Sequence, residues 1–351
     1  MPTSSIMRII DSNLNRLAEG LRVLEDVARM VLDDTGMTEQ LKTLRHDLVR
    51  GDLSFNLALL QSRDSVKDVG ITLEVAGESR EKELPLIVIA NARRCQEALR
   101  VLEDLSKMPD LSSRLDSNKF KAARFELYTL ERNLVSQIMR QDKVERVNGL
   151  YVILDTRVLN GRDYLKAAEE VIQAGVKVIQ LRDKMLEKAQ LLTVARELQS
   201  LCRGNNVLFI MNDYLDIALA IEADGLHIGQ EDLPVAEARR LLPLDAILGC
   251  SAATVEQAQA AESAGADYIA VGSIYPTASK DNIDVVGITR LKQIRAAIKR
   301  PLVAIGGINL NNAREAAAAG ADSICVISAV LNAPDMMRAA REIIEKIEAK
   351  P

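Results

Sequence analysis

Residues 180–184 read Gln-Leu-Arg-Asp-Lys, so Gln180, Arg182 and Lys184 alternate at the end of a short apolar run. Side chains two apart on an extended strand share a side. Three donors facing one way, two of them cationic, suit a phosphate or diphosphate, although taken alone they could equally be a solvated strand end. Asn212-Asp213 and Gly229-Gln230-Glu231-Asp232 follow the next two apolar runs. Asp213 or Asp232 taken singly reads better as a helix N-cap. Taken together, beside the basic Q-x-R-x-K, two carboxylates at adjacent strand ends can share a hard cation such as Mg²⁺, and a metal-bridged diphosphate is the better account.

Later runs end in other polar groups. Cys250-Ser251 closes one, and Gly272-Ser273-Ile274-Tyr275-Pro276-Thr277-Ala278-Ser279-Lys280 follows another as a long polar loop of the binding-loop kind. Lys280 could add a third positive charge. Ile305-Gly306-Gly307-Ile308-Asn309 and Val326-Ile327-Ser328 end the last two runs. Backbone amides there, with glycines that let a ligand approach, would form a phosphate site. Two anion corners are therefore expected. His46 and His227 are the two histidines. His227 lies within a strand and reads as structural, and no Ser-His-Asp arrangement is evident.

The secondary structure that carries these groups is written in the rhythm of the chain. From residue 148 onward, short β-rich runs alternate with helical stretches, several of which end at Gly. The strands read GLYVILD, VKVIQLR, VLFIMND, GLHIG, AILGCS, YIAVGS, LVAIGG and SICVIS. Eight strand–helix units over 148–351 predict an α/β fold, a (β/α)₈ TIM barrel whose site lies at the C-terminal strand ends. A doubly wound open sheet is the alternative, but it rarely needs eight evenly spaced units.

Residues 1–145 predict a mainly α-helical domain. Leu14, Leu17, Leu21, Leu24 and Ala28 step by three or four and form one apolar stripe. A few stretches, such as 86–90, could be strands. Residues 13–29 (NLNRLAEGLRVLEDVAR) return at 91–107 as NARRCQEALRVLEDLSK, with nine of 17 positions identical, which indicates an internal duplication. Arg16, Glu19, Arg22 and Asp26 lie on the face away from the stripe, as do Arg94, Glu97, Arg100 and Asp104 in the second copy. That face is either a solvated surface laced by ion pairs or a pseudo-symmetric anion site. The linker is expected near residues 142–148.

Composition agrees with two soluble domains. The chain has 351 residues, 48% of them hydrophobic, with 3% aromatics and no Trp. A net charge of −5 disfavours non-specific nucleic-acid binding. The four cysteines are dispersed, with no zinc or disulfide pattern. The N-terminus carries no apolar signal core, and the apolar runs are too short to span a membrane. The expectation is a cytoplasmic protein of small-molecule substrates, without nucleic acid or membrane as partner. A homo-oligomer is among the states the sequence leaves open.

The stretches QLRDK, MNDYLDIALAIEADGLHIGQEDLP, GCSAAT, GSIYPTASK, AIGGIN and GADSICVISAV occur in this order. Together they resemble the thiamine-phosphate synthase family. The resemblance implies condensation of 4-amino-2-methyl-5-hydroxymethylpyrimidine diphosphate with 4-methyl-5-(2-phosphoethyl)thiazole. It implies a dissociative route, in which diphosphate departs before the thiazole nitrogen attacks. By position, Gln180, Arg182, Lys184, Asn212, Ser251 and Lys280 would hold the pyrimidine diphosphate, with Arg182, Lys184 and Lys280 as the catalytic cations. Asp213 and Asp232 would bind Mg²⁺. Thr277, Ser279, Gly307, Ile327 and Ser328 would hold the thiazole phosphate. Ser279 stands where the family often has Thr, and Ala253 where many relatives have His. The related thiazole tautomerases use that His, so Ala253 argues against tautomerase activity. NLNR-x-x-EGLRVLEDVAR resembles a helical family associated with hydroxymethylpyrimidine-phosphate kinase activity, found alone or fused to this synthase. That implies a bifunctional enzyme with ATP as co-substrate of the N-terminal domain, although no P-loop is present. The alternatives are a non-catalytic dimerisation or docking module in residues 1–145, and a tautomerase-like barrel.

Overall fold

The computed structural model describes residues 3–49, 52–63, 83–277 and 285–348. They fall into two compact units, Met1–Met139 and Arg140–Pro351.

The first unit is built from helices α1 (Ser4–Met30), α2 (Thr35–Val49), α3 (Leu53–Ser62), α4 (Leu84–Leu105) and most of α5 (Ser117–Glu145). Every member of the expected α1 stripe is buried, and Ile10 extends it. Residues 86–90, a strand candidate in the sequence, lie inside α4. Their β-branched residues are overridden by packing, since Val88 is buried in the same core as Ala92, Cys95, Leu99 and Leu102.

The duplication is visible in three dimensions. α1 and α4 cross where Gly20 meets Cys95: a Cβ on Gly20 would overlap Cys95 Sγ and lie 3.2 Å from the Asn91 carbonyl oxygen. Leu17 and Cys95 occupy equivalent positions in the two copies, and they touch through the Cys95 thiol and the Leu17 carbonyl at 3.7 Å. Asn13 and Asn91 each donate back to a carbonyl four residues earlier, at 2.8 and 2.9 Å. Arg22 pairs with Glu25 and Asp26 at 3.6 and 3.4 Å, and Arg100 with Glu103 and Asp104 at 3.5 and 3.1 Å. Glu25 and Glu103 are buried and reach a further arginine, Arg45 at 2.9 Å and Arg124 at 3.1 Å. At these positions the repeated charges are ion pairs that lace each copy together.

The second unit is a closed barrel of eight parallel strands in sequence order. The strands are β1 (Gly149–Asp155), β2 (Val178–Arg182), β3 (Leu208–Asn212), β4 (Gly225–Ile228), β5 (Ile247–Ala252), β6 (Tyr268–Val271), β7 (Leu302–Ile305) and β8 (Ser323–Val326). Helices α6 (Thr156–Leu159), α7 (Tyr164–Gln173), α8 (Lys188–Gly204), α9 (Leu215–Ala220), α10 (Val235–Leu241), α11 (Val255–Ser263), α12 (Gly287–Ala297), α13 (Ala313–Ala318), α14 (Ser328–Leu331) and α15 (Met336–Glu348) complete it. All eight expected strands are present, within a residue or two at their ends.

Strand alternation sorts the side chains. Leu150, Val152, Leu154, Ile179, Leu181, Phe209 and Met211 pack outward against helices. Tyr151, Ile153, Val178, Leu208, Ile210, Ile247, Tyr268 and Val303 fill the interior. Gln180 and Arg182 share the inward parity of Val178. Gly249 is required because its missing Cβ is where the Tyr268 ring sits. Asp267, just before β6, is buried at the opposite end and pairs with Arg140 and Arg239, each at 2.9 Å. Among the described residues no helix is long and apolar enough to cross a membrane.

Candidate active site at the C-terminal strand ends

β2 delivers Gln180, Arg182 and Lys184 to the rim. Gln180 is buried and donates through Nε2 to the Tyr151 hydroxyl at 2.8 Å. Arg182 pairs through Nη1 with Asp155 at the end of β1. Lys184, half exposed, points its ammonium at Asp213 Oδ2, 3.7 Å away. The turn carrying Lys184 is set by Asp183, which its sequence position alone does not mark out. Asp183 Oδ1 accepts from the Met185 and Leu186 amides, both at 2.7 Å. Asp183 Oδ2 accepts from the Tyr164 hydroxyl at 2.7 Å and from the Thr156 hydroxyl. Burial alone raises the Asp183 pKa, but these donors outweigh it and hold the carboxyl below its ordinary value.

Asn212 is buried at the end of β3, paired in register with His227 of β4. Asp213 follows in the left-handed region, with φ +63°. Such a conformation is uncommon for a residue with a side chain, and Asp is among the types that take it most readily. Neither expected metal ligand is a helix cap. The N-cap of α9 is Tyr214 and that of α10 is Pro234, neither with a side-chain cap. Asp232 instead closes its own turn, accepting from the Gly229 amide at 2.7 Å. The two carboxylates are close enough for the charge of Asp232 to act on Asp213. Burial first, then Asp232, raise the Asp213 pKa; Lys184 and Arg182 act in the opposite direction. An acid raised by burial and by a neighbouring carboxylate is a site where a divalent cation can offset the negative charge. Among the described residues no group of three or more His, Cys, Asp or Glu forms a metal cage. Mg²⁺ does not need one, because it takes one or two carboxylates and completes its shell with water and substrate phosphate.

Ser251 lies on β5, its hydroxyl 3.0 Å from His227 Nε2. His227 Nδ1 is 3.1 Å from the Tyr268 hydroxyl, which is 3.1 Å from the Tyr151 hydroxyl. Ser251, His227, Tyr268, Tyr151 and Gln180 thus form one hydrogen-bonded chain through the barrel interior. His227 also stacks on Tyr268, with ring centroids 5.6 Å apart. This buried role matches the structural reading of His227.

At the other side, β7 is followed by Gly306 and Gly307, with φ +97° and +65°. A Cβ on Gly307 would come within 2.5 Å of the Pro276 carbonyl, so the glycine lets the β6 loop lie against the β7 loop. Tyr275 fastens that loop, donating to Glu315 of α13 at 2.6 Å. Burial, then Glu315, push the Tyr275 phenol up to about 12. Thr277 is half-buried beside it, and Ile327 and Ser328 form the start of α14. β7 and β8 are adjacent, so Gly307 and Ser328 follow neighbouring strands. Ser279 and Lys280 lie outside the described residues.

The structure therefore gathers Arg182, Lys184, Asp213 and Asp232 into one charged corner and links Gln180 to Ser251 through the interior. Asp155, Asp183 and the two interior tyrosines were missed. Their signal is cross-strand register, which a single sequence does not display.

The thiamine monophosphate synthase family model matches residues 150–330, and the ThiD2 family model matches 8–133. A thiamine-phosphate synthase of Prochlorococcus marinus is 36% identical over 345 residues, covering 97% of this chain and 96% of its own. One from Methanospirillum hungatei is 48% identical over 198 residues, covering 56% of this chain and 96% of its own. Among solved structures, a thiamine phosphate pyrophosphorylase from Pyrococcus furiosus superposes with a TM-score of 0.54 at 37% identity, covering 58% of this chain and 99% of that one. The chain belongs to the thiamine-phosphate synthase family.

Proposed function

We propose that the barrel joins 4-amino-2-methyl-5-hydroxymethylpyrimidine diphosphate to 4-methyl-5-(2-phosphoethyl)thiazole, releasing thiamine phosphate and diphosphate. We further propose that the N-terminal unit uses ATP to phosphorylate hydroxymethylpyrimidine phosphate, making the first of those substrates. The observation that carries the synthase reading is the strand-end corner where Lys184 stands 3.7 Å from Asp213 and the charges of Arg182 and Asp232 both act on that carboxylate.

Departure of diphosphate breaks a C–O bond and leaves a pyrimidine-methyl cation, stabilised by the ring amino group, for attack by the thiazole nitrogen. The developing charge lies on the leaving oxygens, so preorganised cations there lower the barrier. Arg182, Lys184 and Lys280 take that role as the catalytic cations. Gln180, Asn212 and Ser251 orient the pyrimidine diphosphate. Asp213 and Asp232 would hold Mg²⁺, which when bound supplies a hard Lewis acid to the diphosphate oxygens. Thr277, Ser279, Gly307, Ile327 and Ser328 bind the thiazole phosphate through hydroxyls and backbone amides. The domains read as 1–145 and 148–351, in a cytoplasmic enzyme.

One variant of the full chain tests both activities. Asp213→Ala should lower thiamine-phosphate formation by more than about 100-fold, a larger loss than the removal of an outer-shell partner produces. ATP-dependent conversion of the pyrimidine monophosphate should persist unchanged. Retained synthase activity would contradict the metal assignment. Absence of ATP-dependent conversion in the wild-type chain would leave the N-terminal unit as a non-catalytic module.

A further inference from the structure

Asp155 has no part in the proposed chemistry, yet its placement ties it to the diphosphate corner. It is the last residue of β1 and stands opposite Arg182 in the β1–β2 register. The residue is 5% exposed, and its carboxylate pairs with Arg182 Nη1 through Oδ2. The other oxygen accepts from the Arg157 amide at 3.0 Å and caps α6. Asp155 is thus fixed by its own backbone, so it acts on Arg182 as a rigid stop.

The next rung along repeats the device. Thr156 donates to Asp183, whose remaining acceptors fasten the turn that carries Lys184. Both cations of the corner therefore stand on a strand end braced from the β1 side. A carboxylate beside a diphosphate would repel it, so Asp155 has no direct use as a ligand for that substrate. A guanidinium paired through one nitrogen still has N–H groups to offer a phosphate, and ordering it beforehand reduces what binding must order.

We infer that Asp155 is a positioning residue for diphosphate recognition, holding the Arg182 guanidinium at the β2 end. This rests on the assignment of Arg182 to the diphosphate, and the test separates the two. Steady-state kinetics of the full chain would be measured for the wild type, Asp155→Asn, Arg182→Gln and the double variant, with inorganic diphosphate as inhibitor. Asn keeps an oxygen for the Arg157 amide and removes the charge. Asp155→Asn should lower kcat/KM for the pyrimidine diphosphate and weaken inhibition by diphosphate, each by roughly 10–100-fold. KM for the thiazole phosphate should not move. In the Arg182→Gln background the same change should add nothing.

Multiplying losses in the double variant, or equal rises in both KM values, would overturn the inference. Arg182→Gln weakening diphosphate while Asp155→Asn does not would overturn this inference alone. Unchanged diphosphate inhibition in Arg182→Gln would overturn the Arg182 assignment beneath it. If Asp155→Asn does not fold, Asp155→Glu keeps the charge and displaces the guanidinium. It should show the same selective loss, and wild-type kinetics from it would overturn the inference.

Discussion

Asp183 shows how one side chain can be structural and still set a site. It accepts two backbone amides and two hydroxyls, and the turn it closes presents Lys184 to Asp213. Its pKa is held below the ordinary 3.8, because those donors outweigh burial. A carboxyl with a lowered folded-state pKa contributes stability that is complete above the unfolded value and is lost as pH falls through the folded one. Asp183→Asn should therefore melt below the wild type at pH 7, and the gap should close below pH about 4. Thermal melts across that range check it; a gap independent of pH would contradict the role. The QLRDK pattern made Gln180, Arg182 and Lys184 legible because a period of two is written in a strand sequence. Asp155 and Asp183 were not legible, because their meaning comes from a neighbouring strand and from amides that only a folded turn brings together.

At the scale of elements, helix crossing and strand alternation carry most of the specification. The α1 stripe predicted its buried face residue by residue, whereas the β-branched residues at 86–90 misled as a local signal. Packing decides there, since Val88 is wholly buried in a helix interface. The cap reading of Asp213 and Asp232 failed for a similar reason. An acid two or three residues ahead of a helix looks like a cap in sequence, while the N-caps are Tyr214 and Pro234, Asp213 lies in a left-handed turn and Asp232 accepts from the Gly229 amide. Gly20 provides the sharpest test of the duplicated pair. Gly20→Ala gains about 1 kcal/mol of helix propensity but forces a methyl into Cys95 Sγ. Overpacking of this kind costs about 1–3 kcal/mol, so urea denaturation should show a net loss or near balance. Adding Cys95→Ala should restore stability toward or above the wild type, and no rescue would refute the close crossing.

At the scale of the whole molecule, the two units carry different kinds of information. The barrel was readable from eight strand–helix periods, and its candidate site was proposed from the polar residues at each strand's C-terminal end. The helical unit announced its duplication but not its chemistry: Arg22, Asp26, Arg100 and Asp104 of the repeated face form ion pairs, and Glu25 and Glu103 reach arginines on neighbouring helices. Closure of the barrel is what turns separate strand ends into one corner, with Arg182, Lys184, Asp213 and Asp232 contributed by consecutive units. The most direct test is a crystal structure of the full chain grown with Mn²⁺ in place of Mg²⁺ and with diphosphate. Anomalous scattering should place one ion between the Asp213 and Asp232 carboxylates, with diphosphate oxygens bridging it to Arg182 and Lys184. An ion and a diphosphate bound together elsewhere on the barrel, with these four side chains untouched, would contradict the account.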